Sequence, residues 1–250
     1  MPEWIESTAG NIAAFEPAVL PAGLTVAFSS RGVAPEGEAS PTAFLARRFA
    51  DAIGLPKIPI VRATQVHGNT AAVIRDPPGA GEVRDAGACD ILATTLPGVA
   101  LVVQTADCVP IVLAGRRVIA VVHAGWRGSA KEAAASGVEA LVSLGENPAE
   151  VDAWMGPSIR ACCYEVGGEV AAQFAGDFVR ADCGGKFRLD LMSVNRAQLE
   201  SSGIASDRIA IHPACTLCGG EKFASFRRDG AKSGRMIALV ARSKVLRSKV

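Results

Sequence analysis

Only three histidines, His67, His123 and His212, occur in the 250 residues. A multicopper centre draws on many more imidazoles, so that class is excluded, and one small histidine-containing metal site is the most the count allows. Charge of one sign is also lacking. The 26 Lys+Arg and 25 Asp+Glu leave a net charge of +1, which removes the electrostatic case for nucleic acid. Long apolar runs are missing too: Val99–Val103 and Val118–Val122 fall far short of the ~18–20 residues of a membrane span. The start, Met1-Pro2-Glu3-Trp4-Ile5-Glu6, has neither a basic region nor a compact apolar one, so no export signal is expected. The expectation is a cytoplasmic protein whose seven cysteines are reduced thiols.

What is present is apolar residue in quantity, 49% of the chain, enough for a large core. Short Val/Ile-rich runs alternate with Ala-rich segments, which predicts a mixed α/β fold of one domain, residues 1–250, with sheets flanked by helices. Strands are expected at Leu24–Ser29, Pro59–Gln65, Ala71–Ile74, Val99–Gln104, Val109–Ala114, Arg117–Val122, Val151–Met155, Arg208–Ile211 and Arg235–Val240. Helices are expected at Pro41–Ile53, Ala130–Leu144, Gly168–Phe174 and Leu191–Ser202, with Gly54, Gly145 and Gly203 as C-terminal caps. The Pro/Gly-rich stretch Asp76–Gly87 reads as a surface loop.

The chemistry concentrates between Thr105 and Gly128. Two apolar runs flank Gly115-Arg116, which predicts a tight hairpin. Setting Ala114 opposite Arg117 brings Cys108 opposite His123 at the open end, with Cβ atoms roughly 4.5–5.5 Å apart. Three readings stay open: two ligands of one zinc ion, a thiolate–imidazole catalytic pair, or two buried or capping residues. Pro110 sits awkwardly in such a strand. Ser129 and Glu132 have capping-box spacing, which places a helix N-terminus at Ser129 with Arg127 beside it, a ready anion site. Against that stands Arg127 as a solvated loop residue stacked on Trp126.

Several pieces carry a family resemblance: Phe28-Ser29-Ser30-Arg31-Gly32, Gln65-Val66-His67-Gly68, Asp90-Ile91-Leu92-Ala93-Thr94, Thr105-Ala106-Asp107-Cys108-Val109-Pro110 and His123-Ala124-Gly125-Trp126-Arg127-Gly128. Gly156-Pro157-Ser158-Ile159, Cys163-Tyr164-Glu165-Val166, Cys215-Thr216 and Phe226-Arg227-Arg228-Asp229 follow. Together they resemble the YfiH-like proteins, known also as laccase-like polyphenol oxidases and peptidoglycan editing factors. The chain departs from the family after Arg31: the family carries a Gly-Gly-Val-Ser run there, whereas Arg31-Gly32-Val33-Ala34 here is followed by Pro35-Glu36-Gly37-Glu38.

The resemblance implies a purine nucleoside phosphorylase with adenosine deaminase activity, acting on adenosine, inosine or methylthioadenosine. It implies that His67, Cys108 and His123 bind one catalytic Zn2+ with a fourth position open for water. Asp107 is then the candidate proton shuttle, with a turn role as the alternative. Arg127 and Ser129, with Arg31, Arg227 and Arg228, are the candidate phosphate site. The implied partners are small molecules, a purine nucleoside and phosphate, and the chain is expected to be a monomer. The competing readings are a cysteine or zinc amidase acting on cell-wall precursors, a ligand-binding protein without turnover and, least favoured, a copper polyphenol oxidase. His212, Cys162-Cys163 and Cys218 are read as structural or incidental.

Overall fold

Continuous apolar runs such as Val109–Ala114 offer no polar face to solvent, so they belong in strands covered on both sides. The computed structural model describes residues 3–9, 12–32, 34, 38 and 41–244 and uses them in that way. Its larger sheet runs β1 (Trp4–Ala9), β2 (Ile12–Pro17), β3 (Leu24–Ser29), β16 (Met236–Arg242), β8 (Ala100–Thr105), β4 (Ile60–Thr64), β6 (Val83–Ala88). The second runs β15 (Ile209–Ile211), β11 (Asp152–Met155), β9 (Val109–Ala114), β10 (Ile119–Ala124), β7 (Ile91–Thr94), β5 (Ala71–Ile74). A small third sheet joins β12 (Glu165–Val166), β14 (Phe187–Leu189) and β13 (Val179–Ala181). Both large sheets are mixed: β4 is parallel to β6 and β8, β11 to β15 and β5 to β7, and the other pairs are antiparallel.

Strand alternation sorts the side chains into layers. Leu101, Val103, Val112 and Val121 meet in a core between the two large sheets. On the far face of the second sheet, Ile111, Leu113 and Val122 pack with α3 (Ala133–Ser143) and α5 (Leu191–Ser201). On the far face of the first, Val102 and Leu239 pack with Leu45 and Phe49 of α1 (Pro41–Ala52). The order is helix, sheet, sheet, helix pair. This is the expected mixed α/β single domain with sheets flanked by helices. Short helices α2 (Trp126–Ala130), α4 (Gly168–Ala171) and α6 (Phe226–Asp229) sit in the connections.

Gly54, Gly145 and Gly203 end their helices with φ of 78°, 91° and 98°, as C-terminal caps do. Asp76–Gly87 is not wholly loop, because its second half enters β6 beside β4. The departure after Arg31 falls largely outside the described residues. Among the described residues no helix is long and apolar enough to cross a membrane.

The hairpin register differs from expectation. Ala114 pairs with Ile119 and Val109 with Ala124, so the turn is Arg116-Arg117 closed by Gly115 and Val118. The cause lies 30 residues on: the Glu146 carboxylate accepts the backbone N–H groups of Arg116, Arg117 and Val118 at 3.0, 2.6 and 2.8 Å. A Cβ on Gly115 would collide with that carboxylate. Pro110 lies just past the last β9–β11 ladder pair, Ile111 with Met155; its carbonyl still accepts the Gly156 N–H at 3.0 Å, and the strand end dispenses with the return bond a proline cannot make.

Candidate metal centre

In the observed register Cys108 faces Gly125, and His123 lies two residues back on the same strand face as that glycine. The pair is therefore diagonal rather than directly opposed, yet still on one side of the sheet. Gly125 leaves the space they need: a Cβ there would lie 2.9 Å from Cys108 Sγ and 3.1 Å from the His67 ring. The ligand atoms of His67, Cys108 and His123 all lie within 4.8 Å of one another. The site thus collects β4's following loop, the β8–β9 turn and the end of β10, and so draws on both large sheets.

Asp90, fully buried before β7, organises the centre. Its carboxylate accepts the backbone N–H groups of Val66, His67 and Gly68 at 3.2, 3.0 and 2.7 Å, which holds His67 in a left-handed conformation (φ 59°). The same carboxylate lies 2.8 Å from His123 Nδ1, leaving Nε2 free for a metal. Burial works against charge on Cys108 and on His123, but each outweighs it for the other. The His123 and His67 rings pull the thiol well below its usual value, and Cys108 with Asp90 holds His123 well above its own. One thiolate and two imidazoles form a donor set that fits a divalent metal with an open fourth position.

Asp107 binds protein on both carboxylate oxygens. It accepts from Thr216 Oγ1 at 2.6 Å, the Arg227 N–H at 2.7 Å and Ser225 Oγ at 3.1 Å, and its φ is 88°. The turn role is the one its geometry satisfies. A cavity of about 640 Å³ opens above the centre, lined by Arg127, Arg227, Trp126, Tyr164 and Phe226 among others. Arg127 stacks 4.2 Å from the Trp126 ring centroid and Arg227 5.2 Å from that of Tyr164.

Three expected phosphate residues are elsewhere. Ser129 is buried inside α2, where its hydroxyl accepts from Asn195 at 2.8 Å. It caps nothing, because Gly125 precedes α2 and Glu132, at φ 62°, precedes α3. Arg31 is paired with Glu221 and Asp229, and Arg228 with Asp229 and the Gly220 and Phe223 carbonyls. None of the three lines the cavity. Asp90, Tyr164, Phe226 and Arg235 were given no role from sequence. The Asp90, Cys163-Tyr164 and Phe226-Arg227 motifs were the signals available for the first three.

A family profile described as multi-copper polyphenol oxidoreductase laccase matches residues 40–243. The chain belongs to that family. Within it, a purine nucleoside phosphorylase of Deinococcus radiodurans is 38% identical over 199 residues, 77% of this chain and 74% of its own length. Adenosine deaminase RL5, from an unknown prokaryotic organism, is 37% identical over 73% of this chain and 75% of its own. The crystal structure of YlmD from Geobacillus stearothermophilus superposes with a TM-score of 0.83 at 25% identity, covering 97% of this chain and all of that one. The Bacillus licheniformis hypothetical protein YfiH gives 0.80 at 28% identity over 88% and 93% of the two chains. The family description names copper, whereas the relatives' names are those of purine enzymes.

Proposed function

We propose that the chain is a zinc-dependent purine nucleoside phosphorylase that also deaminates adenosine. The carrying observation is the His67–Cys108–His123 cluster at a cavity lined by both aromatic faces and guanidinium groups. The names of relatives at 37–38% identity support the substrate class.

In phosphorolysis a phosphate oxygen bonds to ribose C1′ while the C1′–N9 bond breaks, and the base leaves with that electron pair. Arg127 and Arg227 offset the phosphate charge, and the exposed Phe226 ring at the cavity gives a purine a surface to stack on. In deamination water adds to C6 and ammonia leaves. Asp107 positions Cys108 and the Arg227 backbone rather than carrying a proton. Bound zinc supplies Lewis acidity and makes a water acidic near neutral pH. Asp90 keeps His123 oriented with Nε2 toward the centre.

A copper oxidase is the reading the family description favours. It is weakened by His212, which packs among Trp4, Phe15 and Phe223 and leaves two imidazoles for any cluster. The purified protein is tested for zinc and copper, with inosine and adenosine, with and without phosphate. Expected are zinc at the His67 site, base release only with phosphate, and loss of both activities in His67→Ala. Oxygen uptake with a phenol would instead carry the copper reading. Iodoacetamide-sensitive amide cleavage surviving chelators would carry the cysteine-hydrolase one.

A further inference from the structure

Four cysteines outside the nucleoside site come together in space. Cys162 and Cys163 follow β11, and Cys215 and Cys218 follow β15, its parallel neighbour in the second sheet. Parallel strands deliver their following loops to the same sheet end, so residues more than 50 positions apart in sequence become neighbours. The loops are stitched there by a bridge between Ser158 and Cys215 and by the Thr216 N–H on the Ser158 carbonyl at 3.0 Å.

All four sulfur atoms lie within 4.8 Å of one another. Cys163 Sγ is 3.1 Å from Cys218 Sγ, and Cys162 Sγ is 3.6 Å from both. A tetrahedron with zinc–sulfur bonds of about 2.3 Å has sulfur–sulfur edges of about 3.8 Å. The three edges among Cys162, Cys163 and Cys218, 3.1–3.6 Å, come close to that size before any metal is added, whereas disulfide sulfurs would stand about 2.0 Å apart. A Cys-x-x-Cys pair alone is a weak metal signal; a second cysteine pair set against it completes the four-thiolate set of a closed structural site.

We infer that Cys162, Cys163, Cys215 and Cys218 bind a structural zinc ion, separate from the His67–Cys108–His123 centre. Its work is mechanical. The first loop continues into Tyr164, which lines the cavity, and the second into Thr216, which holds Asp107. Zinc clamps the two loops and so fixes that wall of the cavity. Binding exchanges four thiol protons for one Zn2+, with no change of oxidation state. The inference does not depend on what the neighbouring site catalyses.

Metal content of protein purified without added metal is the first measurement. About two zinc ions per chain are expected, falling to about one in His67→Ala and to about one in the Cys162→Ser/Cys218→Ser double variant. Undiminished zinc in the cysteine variant would overturn the inference. The wild-type chain supplies checks that need no variant to fold. A thiol reagent applied to native protein should label exposed Cys183 quickly and exposed Cys162 and Cys218 only slowly, with a mercurial then releasing zinc in step with thiol capture. Immediate labelling of all three, or a denatured mass lowered by disulfide formation, would refute it. Cobalt substituted into His67→Ala should show thiolate-to-cobalt charge transfer with the intense red bands of a tetrahedral site.

Discussion

Glycine decides the geometry of the centre. Gly125 has ordinary extended dihedrals, φ −79° and ψ 174°, that alanine also adopts. Its absence of a Cβ therefore matters only for space. A methyl there would press on Cys108 Sγ and the His67 ring at 2.9 and 3.1 Å, and one at Gly128 would meet the Gly68 carbonyl oxygen at 2.7 Å. The Gly125-Trp126-Arg127-Gly128 segment, which opens α2, is thus packed directly on the His67 turn. Gly125→Ala is expected to weaken zinc binding tenfold or more and to lower unfolding free energy by about 1–3 kcal/mol. Calorimetric metal titration beside urea unfolding checks this; wild-type affinity in the variant would refute it. Asp90 illustrates what the residue list alone cannot convey. Its value comes from accepting three successive N–H groups and a histidine 33 positions away, a role with no local spacing.

At the scale of elements, the hairpin shows one carboxylate setting a register. Glu146 satisfies three turn donors, and burial, which pushes its pKa up, is outweighed by those backbone N–H groups, which pull it down. Glu146→Gln presents an amide NH2 where a carboxylate oxygen accepted, leaving at least one turn N–H without an acceptor. A loss of about 2–3 kcal/mol is expected, read from urea midpoints at neutral pH. An unchanged midpoint would mean that the Gly115–Val118 closure carries the turn unaided. The strands with exact expected bounds, Leu24–Ser29, Ala71–Ile74 and Val109–Ala114, are those whose apolar pattern is strong. β1 and β6, with Glu6, Arg84 and Asp85 in them, look like loops because edge strands tolerate polar residues. The third sheet's strands, two or three residues each, carry no period at all. Cys108 and His123 were legible because a hairpin makes them local. His67 needed the family resemblance, and the four-cysteine cluster needed two loops brought together by parallel strands.

For the whole molecule, His212 couples global stability to pH. It is left over from the metal centre and sits at the junction of the large sheet and the β15 loop. Its ring packs edge-on against Trp4 and Phe15 at centroid distances of 4.9 and 5.2 Å, and Nδ1 accepts the Ala214 N–H at 3.2 Å. Burial, with Lys222 and Arg160 nearby, pushes its pKa down from 6.5 to about 4, against a smaller upward pull from Glu6. The folded chain therefore needs the ring neutral, and the unfolded chain takes the proton first. Stability from this residue is whole above pH 6.5 and drains as pH falls toward 4, at a slope of at most about 1.4 kcal/mol per pH unit. Glu146 acts in a lower window, because a depressed carboxylate loses its contribution only below the ordinary value of 4.5. The two groups are therefore separable in urea unfolding measured from pH 7.5 to about 3. His212→Phe should flatten the loss between pH 6.5 and 4, whatever it does to the absolute level, and leave any steeper fall below 4.5 in place. A variant whose curve keeps the wild-type slope across the upper window would show that His212 is not the group being titrated.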